Sequence, residues 1–492
     1  MRKRFRQFVP VVRHLGGVLW ILGFLMFTPL IVVFMYKYAG HQEVPPIYYL
    51  SPAVATVILG WMLAGHGEPA PLDRRGAMLV CGLGWIVLSA MGALPFCFVL
   101  RVSYLDAYFE TVSGFTTTGI TMLTGLDNMA HSIIFWRALI QWLGGLGILT
   151  FFLTVVGAGG ESHRLFSAES HKIFSKRPAP SLFRTLRILW TIYGAFTLLI
   201  ASLLVIAGSS VFDAITHSFT CLSTGGYSPY DASIAHYAQN GHPNFRWIEY
   251  ILILGMVLGG TNFFVHYRLV TGDVKSLWDN LEVRLWWLIL LGATALILLE
   301  LWIQSDIANP EEAFRHSLFQ VVSIGTTTGY GTKNIAGYPA ASRQIFLVLM
   351  VIGGCVGSTG GGVKVMRVGV LAKMIWRQVR RVVNSRRTVN LLLVDGEQIE
   401  EEEIRRIAAL FFGWIVLLAI GAGITAFLSH HGPLNSASGM FSALGNIGPC
   451  YISVQEMTEL SPLIKITYIF GMLAGRLEIL PILMLFCGRT WN

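Results

Sequence analysis

Long apolar stretches separated by short polar segments recur along the whole chain. As a helix, each stretch is long enough to cross the roughly 30 Å hydrocarbon core of a bilayer. Helices are expected because lipid offers no partner for unpaired backbone groups. The pattern therefore predicts an all-α membrane protein with ten spans. The predicted spans are 15–38, 49–65, 77–100, 132–156, 186–207, 247–267, 284–303, 343–363, 407–428 and 462–488.

The polar segments between the spans carry charge asymmetrically. With the N-terminus placed in the cytoplasm, the cytoplasmic segments hold 27 of the 36 lysines and arginines. These segments are 1–14, 66–76, 157–187, 268–284, 364–406 and 489–492. This distribution follows the positive-inside rule and predicts a cytoplasmic N-terminus. The net charge of +9 thus orients the chain in the membrane, and no nucleic-acid partner is needed to explain it.

Composition agrees with a membrane protein, since only 13% of residues are charged and 54% are hydrophobic, whereas about a quarter of a soluble chain is charged. The six cysteines are scattered and form no metal-type spacing. The first apolar run is too long for a signal-peptide core, so we expect a retained span. No cluster of acids, no nucleophile with a base and no set of metal ligands is visible, which argues against a membrane enzyme.

The outer polar segments contain a fourfold repeat at 106–121, 213–228, 312–332 and 435–449. Each begins with a polar residue suited to a helix N-terminus, continues for about ten semi-apolar residues, too few to span, and closes at a glycine. The starting residues are Asp106, Asp213, Glu312 and Asn435. We predict four non-identical span–pore-helix–span units around a pseudo-fourfold pore, in the order 77–160, 161–275, 276–390 and 391–492, after a two-span hairpin at 1–76.

The ends of these loops suggest an oxygen-lined cation filter. Threonine hydroxyls and backbone carbonyls can replace the water around an alkali cation, and glycine allows conformations that aim carbonyls inward. Thr327–Gly331 differs at one position from the potassium-channel filter Thr-Val-Gly-Tyr-Gly. The alternative is four outer turns without an ion role. The predicted filter residues are Thr117, Thr118, Gly119, Ser223, Thr224, Gly225, Thr327, Thr328, Gly329, Leu444, Gly445 and Asn446.

With this repeat, the chain resembles the potassium-uptake superfamily of bacterial Trk and Ktr membrane subunits and plant high-affinity potassium transporters, and within it the TrkH and TrkG branch. The resemblance implies a critical filter glycine in each unit, here assigned to Gly119, Gly225, Gly329 and Gly445. Sodium-favouring relatives carry serine at the first. It also implies a homodimer in the bacterial inner membrane, a TrkA-like cytoplasmic nucleotide-binding regulatory subunit, and no cofactor beyond the permeant K⁺. The fourth loop lacks the threonine pair, which predicts looser selectivity.

A glycine-rich stretch at 353–362 interrupts the span after the third filter. So many glycines do not form a stable straight helix. A phosphate-binding loop fits poorly because the Gly-Lys-Ser/Thr spacing is missing, while a close-packed helix crossing stays possible. The resemblance favours a gate below the filter. The gate residues would be Gly353, Gly354, Gly357, Ser358, Thr359, Gly360, Gly361, Gly362 and Arg476.

Arg476 lies inside the last predicted span, where an arginine is expensive unless it faces the pore or a partner. We interpret it as a positive barrier that acts with the glycine stretch; snorkelling to the inner surface is the alternative. Glu478 is the nearest acid, but a separation of two places it on another helix face. Lys465 is expected at the interface.

Two transport functions fit this sequence: gated conduction of potassium, and symport of potassium with sodium or protons. A proton-coupled carrier should hold buried acids along its path. Acids within spans are few, namely Glu249, Glu300 and Glu478, which favours conduction. The basic residues Arg377, Arg380, Arg381, Arg386 and Arg387 orient the chain, and could also contact anionic lipid or a soluble subunit.

Overall fold

Helices dominate the computed structural model, which describes residues 2–65, 74–147, 150, 182–304, 309–383 and 391–488. Six helical segments in these ranges are long and apolar enough to span a membrane, or seven if a bent pair counts as one span. The six are Phe8–Tyr38, Ile47–Ala64, Arg75–Leu100, Arg184–Ile206, Leu281–Gln304 and Glu401–Leu428. The first is formed by two helices, Arg2–Leu25 and Thr28–Tyr38. The third likewise combines Arg74–Gly92 with Leu94–Leu100, and the fourth belongs to Leu182–Ile206.

Four short helices begin at the predicted repeat segments. These pore helices are Tyr104–Phe115, Val211–Leu222, Pro310–Gly325 and Pro433–Gly445. Ser103 and Ser210 cap the first two by accepting hydrogen bonds from the backbone N–H groups of Asp106 and Asp213, a typical N-cap arrangement. The polar residues named from the sequence therefore all stand at the third helical position, one turn later than a cap.

A second short helix follows each pore helix, and these four differ most from the sequence prediction. They are His131–Gly145, Phe245–Gly260, Ala340–Ile352 and Pro462–Arg476. The predicted spans 247–267, 343–363 and 462–488 are each broken: Phe245–Gly260 turns by 103° into Phe263–Val270. The predicted span 132–156 also stops early as a regular helix, and residues 148–149 and 151–156 lie outside the described ranges.

Close backbone approach explains where these helices end. A Cβ added at Gly144 would lie 1.9 Å from the carbonyl oxygen of Phe115, at the end of the first pore helix. A Cβ added at Gly475 would likewise lie 2.1 Å from the carbonyl oxygen of Leu444, near the end of the fourth pore helix. Only glycine permits such contact. Each second helix therefore reaches the foot of a pore helix and stops there, instead of crossing the membrane without interruption.

The remaining elements connect these units. Beyond the breaks lie the helices Val365–Val383 and Leu480–Leu485. Ala235–Gln239 and Val454–Glu459 are short helices in connecting segments, and 3₁₀ turns occupy Leu126–Asn128, Val274–Leu277 and Ile335–Gly337. The described strands, Leu393–Val394 and Glu397–Gln398, form an antiparallel hairpin.

Candidate ion filter and gate

The four pore loops share one backbone register, set by the end of each pore helix. The residue that leaves each helix adopts the left-handed conformation, with φ between 53° and 62°. These four residues are Thr117, Thr224, Thr327 and Asn446. The next residue donates its backbone N–H to the carbonyl five residues earlier, as in Thr118 to Ser113 and Ile447 to Ser442. This is the Schellman pattern of a helix C-terminus, and it aligns the loops residue by residue.

A ring of four glycines stands two residues after these left-handed positions. Their φ angles lie between 73° and 106°, a region that favours glycine. The ring consists of Gly119, Gly226, Gly329 and Gly448. A Cβ on each would meet a carbonyl oxygen of the next loop, at 2.3, 1.9, 2.0 and 2.9 Å. The carbonyls approached belong to Gly225, Thr328, Ile447 and Thr118, respectively. The contacts close on themselves, so the loops surround one axis in chain order.

This register corrects two of the glycines assigned from the sequence. Gly225 lies one residue before the ring, where its carbonyl faces Gly119. Gly445 is the last residue of the fourth pore helix, three residues before the ring, and Leu444 is inside that helix. Ser223 is the C-cap of the second pore helix. The equivalents of Gly119 are therefore Gly226 and Gly448, and the fourth loop reads Asn446-Ile447-Gly448.

Buried polar side chains that sequence reasoning missed hold the first two loops from behind. Glu110, in the first pore helix, pairs with Arg137 Nε at 2.7 Å and accepts a hydrogen bond from the backbone N–H of Met122. Gln141 donates to the carbonyl of Gly225 at 2.7 Å and accepts from the backbone N–H of Tyr227. The sequence does carry a signal for Glu110, which is a carboxylate seven residues before Thr117. Polar residues stand at the same spacing in two other units, His217 before Thr224 and Gln320 before Thr327.

The glycine stretch forms an irregular loop against the pore loops. Thr359 donates its hydroxyl to the carbonyls of Leu222 and Gly259, both at 2.9 Å, and receives a hydrogen bond from Thr224 at 3.2 Å. The backbone N–H of Gly361 donates to Thr327 Oγ1 at 2.7 Å.

Gly361 also packs closely against the fourth pore loop, since a Cβ added to it would lie 2.8 Å from Cβ of Asn446. Three of the four left-handed residues thus contact this one loop.

Arg476 contacts Thr117, the remaining left-handed residue. One guanidinium nitrogen lies 3.3 Å from Thr117 Oγ1 and donates to the carbonyl of Thr359 at 2.7 Å. The other donates to the carbonyls of Gly144 and Gly145 at 2.5 and 2.6 Å. The structure therefore brings the predicted filter, the glycine loop and Arg476 together. Arg476 is the C-terminal residue of its helix. Its hydrogen bonds to carbonyls within the protein offset the free-energy cost of placing its charge at membrane depth.

Further contacts anchor the loop at its base. Glu282 accepts a 2.6 Å hydrogen bond from the backbone N–H of Val356, and the Lys364 ammonium donates to the carbonyl of Gly360. Glu478 forms a 2.7 Å ion pair with Arg367. A cavity of about 170 Å³ adjoins the loop and is lined by Trp85, Trp190, Phe264, Gly360, Lys364 and Arg476, among others.

Comparison with known proteins agrees with this architecture. Residues 58–491 match the model of a family described as TrkH, cation transport protein. The chain belongs to the TrkH family. It is 31% identical to the Trk system potassium uptake protein TrkH of Escherichia coli K12, over 99% of this chain and 100% of that protein. An uncharacterized cation transporter of Methanocaldococcus jannaschii is 31% identical over 97% of this chain and 94% of its own length.

The crystal structure of the potassium transporter TrkH from Vibrio parahaemolyticus superposes with a TM-score of 0.86 at 29% identity, covering 99% of this chain and all of that one. The resemblance stated from the four pore loops is thus confirmed, as is the all-α polytopic fold class. Membership in a cation-transport family makes this chain a multi-pass membrane transporter and not an enzyme.

Proposed function

We propose that this TrkH-family chain is the potassium-selective ion-translocating subunit of a Trk-type uptake system. The closed glycine ring carries the proposal. Four loops in one register surround a single axis, and their backbone carbonyls and threonine hydroxyls supply the oxygen chemistry that replaces potassium hydration. Each pore helix also directs the negative end of its dipole toward the loops, which favours a cation. The filter residues are those around Gly119, Gly226, Gly329 and Gly448.

The fourth loop supports a less strict filter than four identical loops would give. Asn446 and Ile447 replace the threonines found at these positions in the first and third loops. The Asn446 amide donates to Thr118 Oγ1 at 2.8 Å and to the carbonyl of Met472 at 3.0 Å. One quarter of the ring therefore contributes fewer hydroxyls, and we expect measurable sodium leak beside potassium flux.

The glycine loop and Arg476 form the gate of this proposal. Hydrogen bonds connect them to the foot of the pore loops, and Arg476 adds a positive charge beside the ion path, which raises the barrier for a cation. Moving the loop would require breaking contacts of Thr359, Gly361 and Arg476. The proposal assigns that movement to a TrkA-like cytoplasmic nucleotide-binding subunit.

The docking face would include the exposed basic residues Arg380 and Arg381 on the helix Val365–Val383; Arg386 and Arg387 lie outside the described residues. The proposal places the chain in the bacterial inner membrane as a homodimer, in contact with membrane lipid and with the N-terminus in the cytoplasm, as the positive-inside distribution favours.

Passive conduction is favoured over symport by the surroundings of the buried acids. Glu249 pairs with Arg315, Glu478 pairs with Arg367, and Glu300 accepts a hydrogen bond from the backbone N–H of Ala341 at 2.9 Å. Glu110 is paired with Arg137. Carboxylates held by such partners are poorly placed to load and release a coupling proton.

The test is cation flux through the purified protein in liposomes. Potassium and rubidium are expected to pass faster than sodium under a gradient of the tested ion alone, because the ring replaces the larger ions' hydration better. Gly119→Ser is expected to lower the K⁺/Na⁺ ratio. Equal potassium and sodium flux through the unmodified protein would refute the filter, and potassium flux that requires a sodium or proton gradient would establish symport instead.

A further inference from the structure

The four seams between neighbouring pore loops are not equivalent. Tyr227, directly after Gly226, donates its hydroxyl to the carbonyl of Glu110 in the preceding unit at 2.9 Å. Tyr330, directly after Gly329, donates to the carbonyl of His217 at 3.1 Å. Glu110 and His217 occupy the same position, seven residues before the left-handed residue of their loops. The same bond thus closes the seams between units 1 and 2 and between units 2 and 3.

The other two seams lack this tyrosine bond; across the seam between units 4 and 1 the Asn446 amide instead donates to Thr118 Oγ1 at 2.8 Å. Ile120 and Pro449 stand where the tyrosines stand in the second and third loops, and neither has a hydroxyl. The positions equivalent to Glu110 are Gln320 in the third unit and Gly439 in the fourth. Gln320 is fully buried, and neither of its amide atoms has a hydrogen-bond partner among the described residues. Buried polar groups are rarely left without a hydrogen-bond partner. Gln320 lies at the seam where proline replaces the tyrosine.

The braced seams are reinforced from behind. The Arg137 guanidinium carbon lies 3.5 Å from the centroid of the Tyr227 ring, and Arg137 donates to the carbonyl of Ser228 at 2.9 Å. Tyr330 is held at both ends, because its hydroxyl lies 2.5 Å from Thr220 Oγ1 and its carbonyl accepts from Ser323 at 2.7 Å. Units 1, 2 and 3 are therefore connected by buried hydrogen bonds that fix the spacing of their loops.

We propose that Tyr227 and Tyr330 are the specificity-determining positioning residues of the filter, and that tyrosine bracing of its loops is confined to the seams among units 1, 2 and 3. Sodium is smaller than potassium, so the loops must move inward to coordinate a dehydrated sodium ion. Two hydroxyl bonds across adjacent seams oppose that movement on three sides of the ring. Selectivity then depends on bracing at two seams rather than on equal contributions from four. This inference rests on the proposed potassium filter.

The test removes one hydroxyl at a time. Tyr227→Phe and Tyr330→Phe keep the aromatic ring and delete the seam bond, and each is expected to lower the K⁺/Na⁺ flux ratio in liposomes about fivefold, the factor that corresponds to one buried hydrogen bond. The ratio should fall because sodium flux rises relative to potassium flux, since loops without this bond can close around the smaller ion. The matched control is Tyr338→Phe, since the Tyr338 hydroxyl is buried without a hydrogen-bond partner among the described residues; its ratio should not change.

The asymmetry is tested at the third seam. Gln320→Met removes the amide where no seam bond exists, so the ratio should stay within about twofold of the unmodified value, which is less than one hydrogen bond. A loss as large as that of the tyrosine variants would overturn the asymmetry. Tyrosine variants with unchanged selectivity, in a protein that itself prefers potassium, would overturn the inference while leaving the filter intact.

A readout without flux guards against variants that reconstitute poorly. A bound ion stabilises the folded protein by mass action, so K⁺ should raise the thermal unfolding midpoint in detergent more than Na⁺ does. That difference should shrink in Tyr227→Phe and Tyr330→Phe and persist in Tyr338→Phe. A difference that is equal in all three variants would also overturn the inference.

Discussion

Residues only two positions apart in a pore loop contact different parts of the protein. The left-handed residue contacts the gate, as Thr117 does with Arg476 and Thr224 does with Thr359. The glycine two residues later contacts the next loop. A side chain at the glycine position would displace a carbonyl of the neighbouring loop, whereas a change at the left-handed position would act on the gate. Under the proposed function, selectivity and gating should therefore be separable by single substitutions.

The register makes a specific prediction for the fourth loop. Gly448→Ser is expected to lower the K⁺/Na⁺ flux ratio about tenfold, since a side chain there meets the carbonyl of Thr118 and a non-glycine residue at this φ is strained by an energy of that order. The control is Gly337→Ser, in an outer turn where an added Cβ meets no atom within 4 Å. Flux ratios in liposomes decide it. An unaltered ratio in Gly448→Ser would show that the fourth loop does not belong to the filter.

At the scale of the helix and the loop, the proposed gate is a contact between two places where the chain leaves its helices. The glycine loop follows the end of one second helix, and Arg476 ends another. Thr359 of the glycine loop donates to the carbonyl of Leu222 in the second pore helix. Arg476 donates to the carbonyls of Gly144 and Gly145. Such carbonyls are fixed by the helices that carry them, so the gate is strongly tied to the filter above it.

Removing the arginine should therefore open the path. Arg476→Met keeps the length of the side chain and deletes its donors, and basal potassium flux without any partner subunit should rise roughly tenfold or more, since hydrogen bonds from a charged donor are lost at several carbonyls. Lys333→Met serves as control, because Lys333 is an outer residue paired with Glu312 at 3.4 Å. The measurement is the initial rate of K⁺ efflux from liposomes. A rate at or below that of the unmodified protein would contradict a barrier role for Arg476.

The elements also show what the sequence could and could not predict. The apolar pattern and the repeated Thr-Gly endings predicted the helical class and the four pore helices, because both depend on local composition. The glycine stretch predicted the break after Ile352. The breaks in the other second helices were not predicted, since hydropathy is continuous across Gly259–Gly260 and what stops that helix is contact with another unit.

The register of the second and fourth loops escaped for a related reason. Gly225-Gly226 offers two adjacent candidates, and Gly445 and Gly448 are separated by only two residues. The choice depends on where each pore helix ends, which the left-handed residues reveal. Tertiary contact, rather than local preference, decides both features.

For the whole molecule, one chain builds a closed ring from four unequal units. Ion pairs join neighbouring units away from the axis: Lys465 reaches Asp106 at 2.6 Å, connecting the last unit to the first, and Arg315 pairs with Glu249 across units 2 and 3. The Arg315–Glu249 pair is buried, and such a pair costs much when one partner is removed, whereas Asp106 is partly exposed; together the two pairs support the circular order. Inequality among the units then appears in the proposed filter, where the fourth loop has fewer hydroxyls and a proline in place of the bracing tyrosine.

Under the proposed function, a dehydrated potassium-sized ion rests within the ring of Gly119, Gly226, Gly329 and Gly448. The most direct measurement is anomalous diffraction from crystals of the unmodified protein grown in rubidium. We expect an anomalous peak on the axis of the ring, between the glycine carbonyls and the left-handed residues, that weakens when sodium replaces rubidium. A rubidium peak elsewhere in the protein, or none in a preparation that conducts potassium, would contradict it.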